Sequence, residues 1–183
     1  TTYAYDTHGR VWTVTDARNG ATAYTYNNGD QTTTVTTPPP GTGEPGQLTI
    51  AFYDNLGRAT GSQYADGATS TNLYYVTGLL RKTSGSRTYP VEYTYDPQGR
   101  MHTMKTWQNF AGDSNTATTT WTNHPYRGWL IAKRYPNASD GSPGTVGPDY
   151  AYTDGGRLKT RTWARTGSGQ RIVTTYYYGF DDD

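Results

Sequence analysis

Tyr93-Thr94-Tyr95-Asp96-Pro97-Gln98-Gly99-Arg100 is the stretch from which the rest of the chain can be read. The same eight-residue pattern stands at the start, as Tyr3-Ala4-Tyr5-Asp6-Thr7-His8-Gly9-Arg10. A third copy is Phe52-Tyr53-Asp54-Asn55-Leu56-Gly57-Arg58. A fourth is Tyr150-Ala151-Tyr152-Thr153-Asp154-Gly155-Gly156-Arg157, with Thr153 where the others carry Asp. Weaker copies are Tyr24-Thr25-Tyr26-Asn27-Asn28-Gly29-Asp30, Tyr74-Tyr75-Val76-Thr77-Gly78 and Tyr176-Tyr177-Tyr178-Gly179. Anchored on the second aromatic, Tyr5, Tyr26, Tyr53, Tyr75 and Tyr95 are spaced 21, 27, 22 and 20 residues apart. A repeat of about twenty residues is one supersecondary unit, here a hairpin with its connection.

Each position in the pattern has a physical task. Tyr-x-Tyr puts two rings on one face of a strand, because side chains two apart point the same way. The Asp or Asn that follows accepts hydrogen bonds from turn amides two residues on, and Gly supplies the positive φ. Arg then opens the return strand, its stem along a neighbouring ring and its head toward solvent or Asp. The structural positions of the repeat are therefore Tyr5, Asp6, Gly9, Arg10, Tyr53, Asp54, Gly57, Arg58, Tyr95, Asp96, Gly99, Arg100, Tyr152, Gly156 and Arg157. Tyr5, Tyr26, Tyr53, Tyr95 and Tyr152 are expected at equivalent places in successive hairpins.

Working outward, the return strands alternate at Val11-Trp12-Thr13-Val14-Thr15, Met101-His102-Thr103-Met104-Lys105 and Leu158-Lys159-Thr160-Arg161-Thr162. Second turns follow at Asp16 to Gly20, at Asp66-Gly67 and at Thr166 to Gly169. Roughly fifteen short strands result, an all-β antiparallel meander of tandem hairpins. Three insertions interrupt it: a Pro/Gly loop near 38–47, a small one from Asn109 to Asn115, and a second long loop near 136–148. None reads as a domain linker, because the hairpin pattern resumes at once. Residues 1–183 are thus one repeat segment, and an opening in mid-pattern at Thr1-Thr2 reads as a piece of a longer chain.

Composition agrees. Hydrophobic residues make up 32% of 183, mean hydropathy is −0.88, and 35 Thr and 18 Tyr stand against two Met and two Glu. Thr and Tyr favour pleated, half-buried surfaces, whereas the good helix formers are scarce. No run of about 18 apolar residues exists, so no membrane-spanning helix is expected. A net charge of +1, with both signs dispersed, favours no nucleic-acid partner. Zero cysteines exclude a disulfide framework and thiol catalysis.

Tyr-x-Tyr-Asp-x-x-Gly-Arg at this spacing resembles the YD-repeat, or Rhs-repeat, family over nearly the whole chain, least from Trp121 to Tyr135. The family includes shells of bacterial polymorphic toxins, shell components of insecticidal toxin complexes and the extracellular barrels of teneurins. The resemblance implies a strip of a spiralling β-sheet shell, secreted or at a cell surface. Such a strip would be completed by further repeats or other chains and would enclose or present a cargo or effector. The family's self-cleaving core of paired Asp-Pro-x-Gly elements is missing. Asp96-Pro97-Gln98-Gly99 sits in an ordinary repeat without a partner element, so self-cleavage does not carry over.

Chemistry-bearing residues do not converge in the sequence. His8, His102 and His124 lack metal-ligand spacing, and Asp181-Asp182-Asp183 lacks the glycine and spacing of a calcium loop. Catalytic carboxylates should occur once, whereas Asp6, Asp54 and Asp96 recur at the turn. Gly141-Ser142-Pro143-Gly144 is loop composition and no nucleophile elbow. No enzyme activity, cofactor or metal is expected. The competing reading is an extracellular carbohydrate- or cell-wall-binding or adhesion module, with Trp12, Trp107 and Trp129 as candidate glycan contacts. Exposure separates the two: a scaffold packs its repeated aromatics across strands, and a glycan binder leaves a row of them open. Asn137-Ala138-Ser139 is a glycosylation sequon, meaningful only in a eukaryotic host.

Overall fold

The computed structural model describes residues 1–27 and 29–179. Asn28 of the Tyr24–Asp30 copy and the Asp181–Asp183 run lie outside them. More than half of the described residues are in strands and none is helical. The chain packs as two compact units, Thr1–Tyr89 and Pro90–Asp183. In the first, the strands are β1 (Thr2–Tyr5), β2 (Val11–Asp16), β3 (Gly20–Tyr26), β4 (Thr32–Thr36), β5 (Leu48–Tyr53), β6 (Ala59–Gln63), β7 (Thr69–Tyr74) and β8 (Leu80–Gly85). In the second they are β9 (Val91–Tyr95), β10 (Met101–Asn109), β11 (Ser114–Asn123), β12 (Leu130–Arg134), β13 (Asp149–Tyr152), β14 (Leu158–Gly167) and β15 (Gln170–Thr175). Within each unit every strand pairs antiparallel with its sequence neighbour, the expected meander.

The Asp-x-x-Gly-Arg turns form as their residue types demand. Asp6 N–H donates to the Arg10 carbonyl at 2.9 Å and Gly9 N–H to the Asp6 carbonyl at 3.0 Å. The same pair of bonds closes the turns at Asp54, Asp96 and Thr153. Gly9, Gly57, Gly99 and Gly156 take φ of 77°, 75°, 79° and 91°, in the left-handed region that suits glycine. Gly99→Val should therefore cost more than about 1 kcal/mol in urea unfolding.

Two registers differ from expectation. The equivalent of Tyr5 in the fourth hairpin is Tyr74, the last residue of β7. Tyr75 takes the Asp position, donating N–H to Leu79 O and accepting from Gly78 N–H. Adjacent tyrosines satisfy the pattern in either register, and only the pairing of Tyr74 with Leu80 chooses. In the Asn27 turn it is Asp30, at φ 52°, that occupies the left-handed place expected for Gly29, because that place is the third residue on, whose N–H donates to Asn27 O as Gly9 N–H does to Asp6 O.

The return strands also do not alternate strictly. Tyr5 pairs with Val11 and Ala4 with Thr13, so Trp12 is an extra residue. The same bulge recurs at Thr60, Arg81, His102, Ile131 and Lys159. A bulge shifts the side-chain phase and sharpens local twist. The Asn27 turn has none, since Tyr26 pairs with Thr33.

The two long insertions behave differently. Thr37 N–H donates to Gln47 O at 2.9 Å, closing the ladder and leaving Pro38 to Gly46 as a protruding loop. The 136–148 loop instead lies on the sheet. Thr118 N–H of β11 donates to Gly141 O at 2.8 Å, and Tyr135 and Lys133 N–H donate to Val146 and Pro148 carbonyls. Buried residues are few: Gly61 in the first unit and Trp107, Thr119, Gly147 and Pro148 in the second. Strands touch only their sequence neighbours, so each unit is one layer thick and few side chains are buried.

Candidate functional site

In each unit the repeated residues assemble along the edge that carries the Asp-x-x-Gly-Arg turns. Within a turn, Asp6 Oδ1 accepts the N–H groups of His8 and Arg10, both at 2.9 Å, while Oδ2 accepts Arg10 Nε at 2.8 Å. Asp54 holds Leu56, Arg58 and the Arg58 guanidinium identically, and Asp96 does so for Gln98 and Arg100. Thr153 supplies only a hydroxyl, to Arg157 N–H at 3.1 Å.

Burial works against ionisation of the three aspartates. The amide and guanidinium of the arginine four residues on, with the amide two residues on, outweigh it and hold each carboxyl below its usual range. A depressed folded value means that the stabilisation is fully present above the unfolded value, about 3.9, and is lost as pH falls below it. The urea midpoint should thus drop steeply below about pH 4, and Asp54→Asn should flatten that drop in proportion. A midpoint flat across this range would remove the turn carboxylates from the stability of the fold.

The arginine set by each turn reaches the next hairpin. Arg10 lies over the Tyr26 ring, 4.3 Å from its centroid, and its Nη1 bonds Asp30 of the next turn. Arg58 lies over Tyr74 at 4.8 Å and donates to Tyr75 O at 3.3 Å. In the second unit Arg100 donates to His124 O at 3.2 Å, and Arg157 lies over Tyr178 at 5.3 Å. The tyrosines return the contact. Tyr26 OH donates to Val11 O, Tyr74 OH to Ala59 O and Tyr178 OH to Leu158 O, each at 2.8 Å. Each acceptor is the carbonyl of the residue after the stacked arginine. Aspartate orients arginine, arginine covers the next ring, and the ring's hydroxyl ties back.

The Trp121–Tyr135 region, weakest in the sequence, keeps this lock with other residues. His124 takes the Asp place, its Nδ1 accepting the N–H groups of Tyr126 and Arg127 at 3.3 and 3.2 Å. Trp129 takes the Arg place and stacks on Tyr152, centroids 5.0 Å apart, while Tyr152 OH donates to Leu130 O at 2.9 Å. Arg127 covers Trp129 and hooks Asp154 O at 2.6 Å. Histidine in place of Asp and Trp in place of Arg hid this copy. The only signal was Gly128 at the correct offset before an aromatic.

Of the candidate glycan contacts, Trp107 is 3% exposed and donates Nε1 to Asp113 at 2.6 Å, packed edge-on against Phe110. Trp107 therefore offers no open ring face, and Trp129 is half-buried in the Tyr152 lock. Trp12, set out by its bulge, is 55% exposed. The three histidines lie apart, on two turns and a strand. Among the described residues no three His, Asp or Glu gather to hold a metal, and no helix is long and apolar enough to cross a membrane. Ser142 Oγ donates to Asp140 at 2.7 Å within its loop, and Asn137 Oδ1 accepts from Ser139.

No protein-family model matches the chain, and no curated protein does. Its fold is shared with solved structures. It superposes on the crystal structure of TcdB2-TccC3-TEV with a TM-score of 0.62 over 93% of its length, at 16% identity. The same values hold for TcdB2-TccC3 without its hypervariable C-terminal region. The chain spans 9% of each of those chains.

Proposed function

We propose that this chain is a structural segment of a secreted or surface-displayed, Rhs-like protein, part of a β-shell that encloses or presents a cargo or effector and has no catalytic role of its own. One observation carries the reading: the recurring Asp, Arg and Tyr side chains are used to hold each hairpin to the next. Among the described residues, the recurring aspartates and arginines are engaged by their own and neighbouring turns, and no three His, Asp or Glu gather in one place. Fold likeness to TcdB2-TccC3 chains, and the resemblance of the repeats to YD-repeat shells, support it. Balanced charge and Thr-rich strands suit a wall that neither attracts ions nor presents large apolar patches.

Electron cryomicroscopy of the parent polypeptide tests this. These strands should form part of a closed wall with polypeptide density inside. Strands bathed in solvent on both faces, with no enclosed volume, would overturn the reading. The exposed Trp12, with Tyr3 and Tyr5 each 59% exposed on the paired strand β1, favours one competing role, in glycan binding. Saturable oligosaccharide binding by the chain, abolished by Trp12→Ala, would establish that role.

A further inference from the structure

The lock has an open end. Tyr5 occupies on β1 the place that Tyr26, Tyr74 and Tyr152 occupy in their strands, the last residue before the turn, and Tyr178 beyond β15 makes the same contact as those three. Those four hydroxyls each donate to the first carbonyl of the preceding return strand, with an Arg or Trp over the ring. Tyr5 has neither. Its ring is 59% exposed, as is that of Tyr3 two residues earlier, and all four residues of β1 are exposed. Among the described residues neither ring has a hydroxyl partner or a cation over it, and the outer edge of β1 carries no strand.

The first unit also contains its own control. Turn Asn27–Thr32 has Gln31 where Arg is expected and lacks the bulge, and the Tyr53 hydroxyl that follows makes no such bond. Each of the four hydroxyl contacts falls on a return strand that carries the bulge and has Arg or Trp just before it, so the receptor half of the contact is specific for one kind of strand.

We propose that the outer edge of β1 binds a hairpin of a further repeat whose return strand begins Gly-Arg-x, with its arginine over Tyr5 and its x carbonyl accepting the Tyr5 hydroxyl. The occupant follows from continuity with the lock seen at Tyr26 and Tyr74. In an antiparallel meander the neighbour of an outgoing strand is a return strand, which is the element carrying Gly-Arg. This rests on the scaffold reading, since a wall is extended through its edges. The two fail separately: docking at Tyr5 without any enclosed volume in the parent would sink the shell alone.

The test places a second copy of residues 1–21 directly before Thr1 of the full chain, which sets the added Val11–Asp16 strand beside β1 in the spacing seen between β2 and β3. Nitration of Tyr5 by tetranitromethane, read by mass spectrometry, should slow about tenfold, the mark of roughly 1.4 kcal/mol of protection. It should recover when the added copy carries Arg10→Ala. Tyr5→Phe should leave the melting midpoint of the 183-residue chain unchanged and lower that of the extended chain by about 2–4 °C. Equal nitration in both proteins, or Tyr5→Phe neutral in both, overturns the proposal. A 183-residue chain that dimerises with Tyr5 already protected also overturns it, assigning the edge to a second copy.

Discussion

Gly141→Ala is expected to destabilise the second unit by about 3–5 kcal/mol, far beyond an ordinary glycine substitution. Gly141 sits at φ 70°, and a Cβ there would run into the carbonyl oxygen of Thr116 on β11. That oxygen is backbone and cannot swing aside. The residue also donates N–H to Asn137 O and accepts from Thr118 N–H, both at 2.8 Å, so moving it releases the 136–148 loop. Gly9 is the contrast: φ is 77°, but a Cβ would meet nothing within 4 Å. Gly9→Ala should cost only about 1 kcal/mol. Urea unfolding followed by tryptophan fluorescence compares the two. Equal losses would mean that the loop does not seat on β11.

Trp107→Ala should be the other severe change, costing about 3–5 kcal/mol. The ring is 3% exposed in a unit with few buried side chains, and its removal takes away the face on which Phe110 packs edge-on and the Lys105 ammonium lies. Asp113, held at φ 43° with its carboxylate on the indole N–H and on Lys105, loses a donor as well. Trp107→Phe keeps most of the packing and drops the donor, so about 1–2 kcal/mol is expected. Trp12→Ala, at an exposed bulge, should stay within about 0.5 kcal/mol. If Trp107→Ala were as mild as Trp12→Ala, the buried cluster under the β10–β11 hairpin would be wrongly placed.

Turn chemistry was legible because it is local. An Asp followed three residues later by Gly and then Arg specifies its own amide acceptors and its own positive φ, so Asp6, Asp54 and Asp96 could be placed without knowing any neighbour. Spacing then made the hairpins successive. Legibility ended where a neighbour decides. Tyr74 and Tyr75 both fit the pattern, and the choice belongs to Leu80 across the pair. His124 fills the Asp place only because its ring nitrogen meets two amides, a role its residue type does not announce. Trp12, Trp107 and Trp129 look alike in sequence, yet one protrudes at a bulge, one is covered, and one stacks on Tyr152.

Residue order alone was enough for an all-β meander, the Asp-x-x-Gly-Arg turns, its two long insertions and the recurrence of Tyr, Asp, Gly and Arg, since each depends on interactions within about eight residues. Folding decided which way the arginines reach, that Tyr hydroxyls close the contact one hairpin back, where the bulges fall and that only the second insertion packs down. Those outcomes join residues about twenty apart, and their geometry exists only once two hairpins lie side by side. Arg10 and Tyr26 meet because β2 pairs with β3 across the turn at Asp16 to Gly20.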